Sequence, residues 1–292
     1  MDFHERAFFF DCEGDALPGI VALPCDAATA PHKVKIGVLI VVGGPQYRVG
    51  AHRQFVLLAR ALAAAGVPCM RFDWRGMGDA EGEPRRFDAV ADDLRAALDA
   101  FFAAVPDMTG ALLWGLCDGA TAAALYAGDD PRVDGLLLLN PWLGGEEGGA
   151  RVMLRHYYLK RLTSTAFWRK LVGGGVSPAA ALADLWRFAR GAFGGASKGS
   201  VADGYAEKLR LALKTLSIPW WVVLSGEDFV AREFERAVAA PEWAELLPAR
   251  APLRVAEADH TFSRAVWRDE VADKTLACVR ALTDLAHRLD AL

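Results

Sequence analysis

The sequence predicts an α/β fold: a doubly wound, mostly parallel sheet with helices on both faces and a helical insertion past its middle. Three observations carry that expectation. Short apolar runs rich in β-branched residues recur along the chain, and each is followed by a stretch of helical periodicity. The runs are apolar on both faces, as strands covered on both sides must be. The rhythm breaks only between about 142 and 216 and resumes afterwards.

Taken in order, the first 30 residues alternate apolar patches ("RAFFFDC", "LPGIVALPC") with turn residues, which predicts an opening β-hairpin. "KIGVLIVVGG" at 35–44 reads as a central parallel strand ending in paired glycines. "HRQFVLLARALAAAG" at 52–66 places Phe55, Leu58, Ala59 and Leu62 on one helical stripe, and Gly66 ends it. A strand at 67–74, a helix at 88–105, a strand at 111–114, a helix at 120–127 and a strand at 133–142 closed by Pro141 continue the alternation. Strand and helix in strict turn imply right-handed crossovers. The sheet pattern returns at 218–226 and 252–260, and a long helix from 264 to about 289 ends the chain. The expected division is a core of residues 1–141 and 217–292 with a helical cap insertion at 142–216.

Bulk properties bound the function classes. With 292 residues, 53% hydrophobic and 24% charged, the chain can bury a large core. A net charge of -4 gives no footprint for nucleic acid, and the short basic clusters read as solvated faces. Five scattered cysteines, without CxxC spacing, suit neither a disulfide framework nor a zinc site and fit a reducing compartment. The N-terminus lacks the basic start and long apolar core of a signal peptide, and no apolar run approaches the ~20 residues that span a bilayer. The expectation is a cytoplasmic protein with no stable membrane insertion. No glycine pattern makes a phosphate loop, so neither a nucleotide, another cofactor nor a metal is expected.

The chemistry centres on "ALLWGLCDGA" at 111–120, where Gly115 and Gly119 flank Cys117 between a predicted strand and a predicted helix. At a sharp strand–turn–helix apex the residues two away on each side must be small, because strand and helix nearly touch. The apex side chain is then pushed over the carboxyl ends of the strands, where open parallel sheets bind ligands. The Asp118 amide opens the helix, where it can donate to an oxyanion and where the dipole favours a thiolate. The alternative is that Cys117 is a small buried hydrophobe in a glycine-rich turn. The strand and helix on either side favour the nucleophile.

With these residues the sequence resembles the α/β-hydrolase superfamily in a cysteine-nucleophile form. "VVGGPQ" (41–46) is similar to the superfamily's His-Gly-x-Pro loop, with Val42 at the histidine position. "FDWRGMGDAEG" (72–82) is similar to its Asp-x-Arg-Gly-x-Gly-x-Ser turn, with Ala80 near the serine position, and "EADHTF" (257–262) to its closing histidine loop. "GGPQYRVGAHRQF" together with "GLCDGA" looks most like the exosortase A system-associated hydrolase 1 subfamily. That resemblance implies a bacterial setting of exopolysaccharide production and protein sorting, and gives no substrate.

The fold orders nucleophile, acid and histidine along the chain. Of six histidines, His260 directly follows a predicted strand. His4, His32 and His287 read as surface residues, His52 as a cap or loop anchor, and His156 falls in the insertion. Asp228, after "WWVVLSG", is the expected orienting acid, with Glu227 as its neighbouring alternative and Asp259 as a turn residue. Gly44 is the expected second oxyanion donor, since Pro45 has no N–H. Tyr47, Arg48 and Arg53 follow that loop as pocket candidates, with a surface role equally open, whereas Arg75, Gly76 and Gly78 brace the next turn.

A thiol is intrinsically nucleophilic and forms a thioester that exchanges readily. The expected activity is therefore hydrolysis of an ester or thioester through Cys117, His260 and Asp228. Acyl transfer by the same intermediate and a catalytically silent scaffold are the alternatives; the carboxylate of Asp118 beside the thiol favours silence. In the insertion Trp142, Tyr157, Tyr158, Phe167, Trp168 and their aromatic neighbours either line a site for a hydrophobic acyl chain or hold the cap to the core. Arg151, Arg155, Lys160 and Arg161 are placed to steer an anionic partner such as an acyl carrier protein.

Overall fold

The structure is a computed structural model and describes residues 2–25, 35–43, 46–144, 201–246 and 251–290. Among the described residues eight strands occur: β1 (Phe3–Cys12), β2 (Asp15–Pro24), β3 (Ile36–Val41), β4 (Cys69–Phe72), β5 (Gly110–Leu116), β6 (Val133–Leu139), β7 (Trp220–Ser225) and β8 (Leu253–Val255). They form one sheet in the order β1-β2-β4-β3-β5-β6-β7-β8. β1 and β2 make the expected hairpin, β2 runs antiparallel to β4, and every pairing from β4 to β8 is parallel. β8 stops at Val255, well short of the predicted 260, because the chain turns at Ala256–Glu257 into the loop that carries His260.

The longer helices among the described residues are α1 (Gln54–Ala64), α2 (Ala91–Ala104), α3 (Asp118–Tyr126), α4 (Val201–Thr215), α5 (Phe229–Val238) and α6 (Ala265–Asp290). Alternation along each strand divides the core in two. Leu39, Val41 and Leu113 point to the face covered by α2, α3, α4 and α5, where Leu98, Phe101, Leu209 and Phe234 are buried. Val38, Ile40, Leu112 and Trp114 point to the opposite face, against Phe55 and Leu62 of α1 and Val279 and Leu282 of α6. Period-2 strands thus feed two helix layers from one sheet.

The chain forms two compact units, one of Met1–Leu143 with Tyr205–Leu292 and one of Gly144–Gly204. Residues 205–216, which the sequence reading put in the insertion, pack with the core: Tyr205, Leu209 and Leu213 of α4 are buried there at a spacing of one helical turn. Residues 145–200 and the helical cap expected of them lie outside the described residues. No helix among the described residues is long and apolar enough to cross a membrane.

Two ionic braces hold the turns at the carboxyl ends of the strands. Arg75 is 1% exposed and pairs with Asp93 at the start of α2, whose carboxylate also accepts from the Arg75 backbone N–H at 2.8 Å. Glu13, at the hairpin turn, takes the remaining edge of the guanidinium. Asp73, fully buried, accepts from the Arg48 backbone and guanidinium and from the Asp79 N–H at 3.1 Å, tying residues 46–50 to the 73–79 turn. Removing one partner of a buried pair leaves an uncompensated charge. Asp93→Ala is expected to lower stability by about 3–5 kcal/mol, measured as a fall in the denaturant midpoint; a loss under about 1 kcal/mol would show that the pair braces nothing.

Candidate functional site

Every candidate residue in the described part sits at the carboxyl end of a parallel strand or in the loop after it. At the turn from β5 to α3, Cys117 has φ 60° and ψ −124°, a conformation that a non-glycine residue adopts only when its surroundings impose it. The flanking packing is what imposes it. A Cβ on Gly115 would lie 2.5 Å from the Gly119 carbonyl, and one on Gly119 would lie 2.5 Å from the Val41 carbonyl. Strand and helix therefore touch backbone to backbone, and the chain reverses over a single residue. The Cys117 N–H donates to the Leu139 carbonyl at 2.9 Å, and its own carbonyl accepts from Ala120 at 3.1 Å and Trp142 at 3.3 Å.

The Cys117 side chain is half-buried. Burial pushes its thiol well above the usual range, and the carboxylates of Asp118 and Asp228 push it further. The backbone N–H of Asp118, at the start of α3, works against them by donating to the sulfur. This is where the sequence placed an oxyanion donor. The Asp118 carboxylate itself accepts from the Gly119 N–H at 3.1 Å and lies against Gly43.

Asp228 and His260 come together as expected. Asp228 caps α5, its Oδ2 accepting from the Ala231 N–H at 3.0 Å, and the same oxygen lies 2.9 Å from Nδ1 of His260. Bonded there, the ring carries its proton on Nδ1 and leaves Nε2 as the basic nitrogen. Nε2 is buried without a hydrogen-bond partner, so the thiol of Cys117 is not bonded to it in this arrangement. Asp259 accepts from the N–H groups of Thr261 and Ser263 at 3.1 and 3.0 Å, the turn role expected of it. Glu227 is exposed and pairs with Arg232.

The remaining candidates divide. Gly44 lies outside the described residues, with Pro45. Tyr47 is 45% exposed. The guanidinium of Arg48 is held by Asp73 and Asp79. Trp142 sits beside the turn, its ring edge-on to Phe87 at 5.3 Å and tilted against Tyr205 at 5.8 Å. His52 and Arg53 enter α1 with φ 52° and 60°, both exposed.

Sequence reasoning missed Asn140 and Tyr205. Asn140 is fully buried just past β6; a single polar residue closing the run "GLLLLN" was the available signal. Tyr205 hydrogen-bonds Asp88 at 2.7 Å and completes the aromatic group around Trp142, from a helix whose core side was hidden in a polar segment. A cavity of about 310 Å³ opens between α1 and α6, lined by Leu58, Trp114, Phe262 and Val271 among others; neither Cys117 nor His260 lines it. No cluster of metal-ligating side chains occurs among the described residues.

The likenesses to known proteins agree with this architecture. The esterase Pf2001 of Pyrococcus furiosus superposes with a TM-score of 0.65 at 15% identity, over 96% of this chain and 91% of that one. An alpha-beta serine hydrolase homologue of Coxiella burnetii gives 0.56 at 16% identity, over 95% and 97%. The N-formylmaleamic acid deformylase of Pseudomonas putida gives 0.59 at 17% identity, over 92% and 100%. At such identities the likeness is one of fold. The sequence matches no curated protein. The family model of serine aminopeptidase, S33, matches residues 36–190, more than half of the chain and a range that takes in the Cys117 turn. The fold and this match together mean that the chain belongs to the serine aminopeptidase S33 family of α/β hydrolases.

Proposed function

We propose that the protein hydrolyses an ester or thioester through an acyl-cysteine intermediate, with Cys117 as nucleophile, His260 as base and Asp228 as the orienting acid. The observation that supports this reading most is the 2.9 Å bond from Asp228 to Nδ1 of His260, which leaves a buried Nε2 unpartnered in the loop beside the Cys117 turn. The family is named for a serine enzyme; here the apex residue is Cys117.

The proposed chemistry follows from the raised thiol. A neutral thiol attacks only as its proton leaves, so Nε2 of His260 acts as general base, and Asp228 stabilises the imidazolium. This requires Sγ and Nε2 to come within hydrogen-bonding reach when substrate is bound, as catalytic contacts commonly tighten then. The sulfur bonds to the acyl carbon, and the oxyanion accepts from the Asp118 N–H. The imidazolium proton goes to the departing alkoxide or thiolate. Water, deprotonated by the same nitrogen, then cleaves the thioester and restores the thiol. A carrier-bound acyl group, with transfer to another acceptor in place of water, belongs to the same proposal, as does the exopolysaccharide setting. The cationic residues assigned to the carrier, Arg151, Arg155, Lys160 and Arg161, lie outside the described residues.

Turnover of p-nitrophenyl esters and acyl thioesters of several chain lengths tests the reading. Cys117→Ala is expected to reduce kcat on the order of ten-thousandfold or more. Turnover that survives the substitution would remove Cys117 as the nucleophile, and wild-type protein that turns over none of these substrates would favour a silent scaffold.

A second outcome concerns pH. The Asp118 carboxylate disfavours the thiolate, so its neutralisation must lower the thiol pKa. Asp118→Asn is expected to move the midpoint of Cys117 alkylation to lower pH; an unmoved midpoint would remove that carboxylate as a cause.

A further inference from the structure

We infer that Asn140 is a positioning residue: a single carboxamide that joins the His260 loop and the end of the Asp228 strand to the segment that holds Cys117, and so aims the imidazole. The inference rests on the reading of Cys117, His260 and Asp228 proposed above.

Asn140 follows β6 directly, fully buried and with φ 43°, in a region that asparagine tolerates better than most residues. Its side chain makes three hydrogen bonds. Oδ1 accepts from the Ser225 N–H at 2.9 Å, and Nδ2 donates to Ser225 Oγ at 2.8 Å and to the His260 carbonyl at 3.3 Å. The orientation of the amide follows from chemistry. A backbone N–H only donates and a carbonyl only accepts, so the oxygen must face Ser225 and the nitrogen must face His260.

The backbone on either side of Asn140 is fastened to the candidate nucleophile. The Leu139 carbonyl accepts from the Cys117 N–H at 2.9 Å, and the Trp142 N–H donates to the Cys117 carbonyl at 3.3 Å. Thr121 Oγ1, one turn into α3, bonds the Trp142 carbonyl at 2.6 Å. Residues 139–142 thus grip Cys117 through the main chain while the side chain of Asn140 grips the histidine loop. Ser225 lies three residues before Asp228, so the same amide also fixes the strand that delivers the acid. His260 is then held at two points, its ring by Asp228 and its backbone by Asn140. A base fixed only through its ring would pivot with the loop, and displacement near 1 Å can reduce a rate about a hundredfold.

Asn140→Asp separates this role from simple packing. The substitution preserves size and the bond from the Ser225 N–H, but sets a carboxylate oxygen against the His260 carbonyl. The full-length protein is assayed for kcat and KM on a p-nitrophenyl ester and for Cys117 alkylation by iodoacetamide across pH, with Cys25 as internal reference. Asn140→Asp is expected to lower kcat roughly tenfold to a hundredfold with KM little changed, and to alter the pH profile of Cys117 alkylation. Tyr126→Phe serves as control, since it loses a buried bond to Asp130 (2.7 Å) before β6; it is expected to lower the melting temperature without changing kcat. If Asn140→Asp behaves like that control, losing thermal stability but keeping kcat and the alkylation profile, the positioning role is overturned. If Asn140→Asp does not fold, Asn140→Ser, too short to reach His260, is read in the same way. Wild-type protein that turns over no ester would overturn the triad itself; an active wild type with an unaffected Asn140 variant overturns only the present inference.

Discussion

The meeting of β5 and α3 leaves no room for a side chain at Gly115, the end of β3 leaves none at Gly119, and the arrangement at the carboxyl end of the sheet depends on those exclusions. With strand and helix in backbone contact, the one residue between them must turn at positive φ. The direction of the Cys117 side chain is then a property of the backbone and owes nothing to rotamer choice alone. The same contact brings the first amide of the helix to the sulfur, so candidate nucleophile and candidate oxyanion donor are positioned by a single constraint.

Around this turn the molecule uses polar groups as rivets between loops that share no secondary structure. Asp93 holds the arginine of the turn after β4, and Asp73 reaches back to the loop after β3. Asn140 does the equivalent on the other flank, between β6, β7 and the histidine loop. Each is buried and each has several hydrogen-bond partners, which is the condition under which buried polar groups stiffen a site. Loops at strand ends have few apolar contacts of their own, so without such links they would move independently.

The sheet was legible in the sequence because strands buried on both faces leave an unmistakable run, as "GALLWGL" and "GLLLL" do. The turn at Cys117 was legible because its steric demand is local and written in two glycines. The Asp228–His260 contact was reachable through strand order. Pairings between distant residues were not. Nothing local couples Arg48 to Asp73, twenty-five positions apart, and the arginine read as readily as a pocket residue. The core side of α4 was equally obscure, because Tyr205, Leu209 and Leu213 sit among charged neighbours in a stretch whose average looks like surface. The short β8 reflects tertiary need, since the chain must leave the sheet early to bring His260 to Asp228.

The suppressed acidity of Cys117 has a bearing on durability. Peroxide attacks sulfur as the anion, and the ladder from sulfenic to irreversible sulfinic and sulfonic acids begins with that species. A half-buried sulfur whose surroundings disfavour the anion offers less of that species to peroxide. The Asp118 carboxylate next to it, which at first sight opposes reactivity, contributes to that restraint.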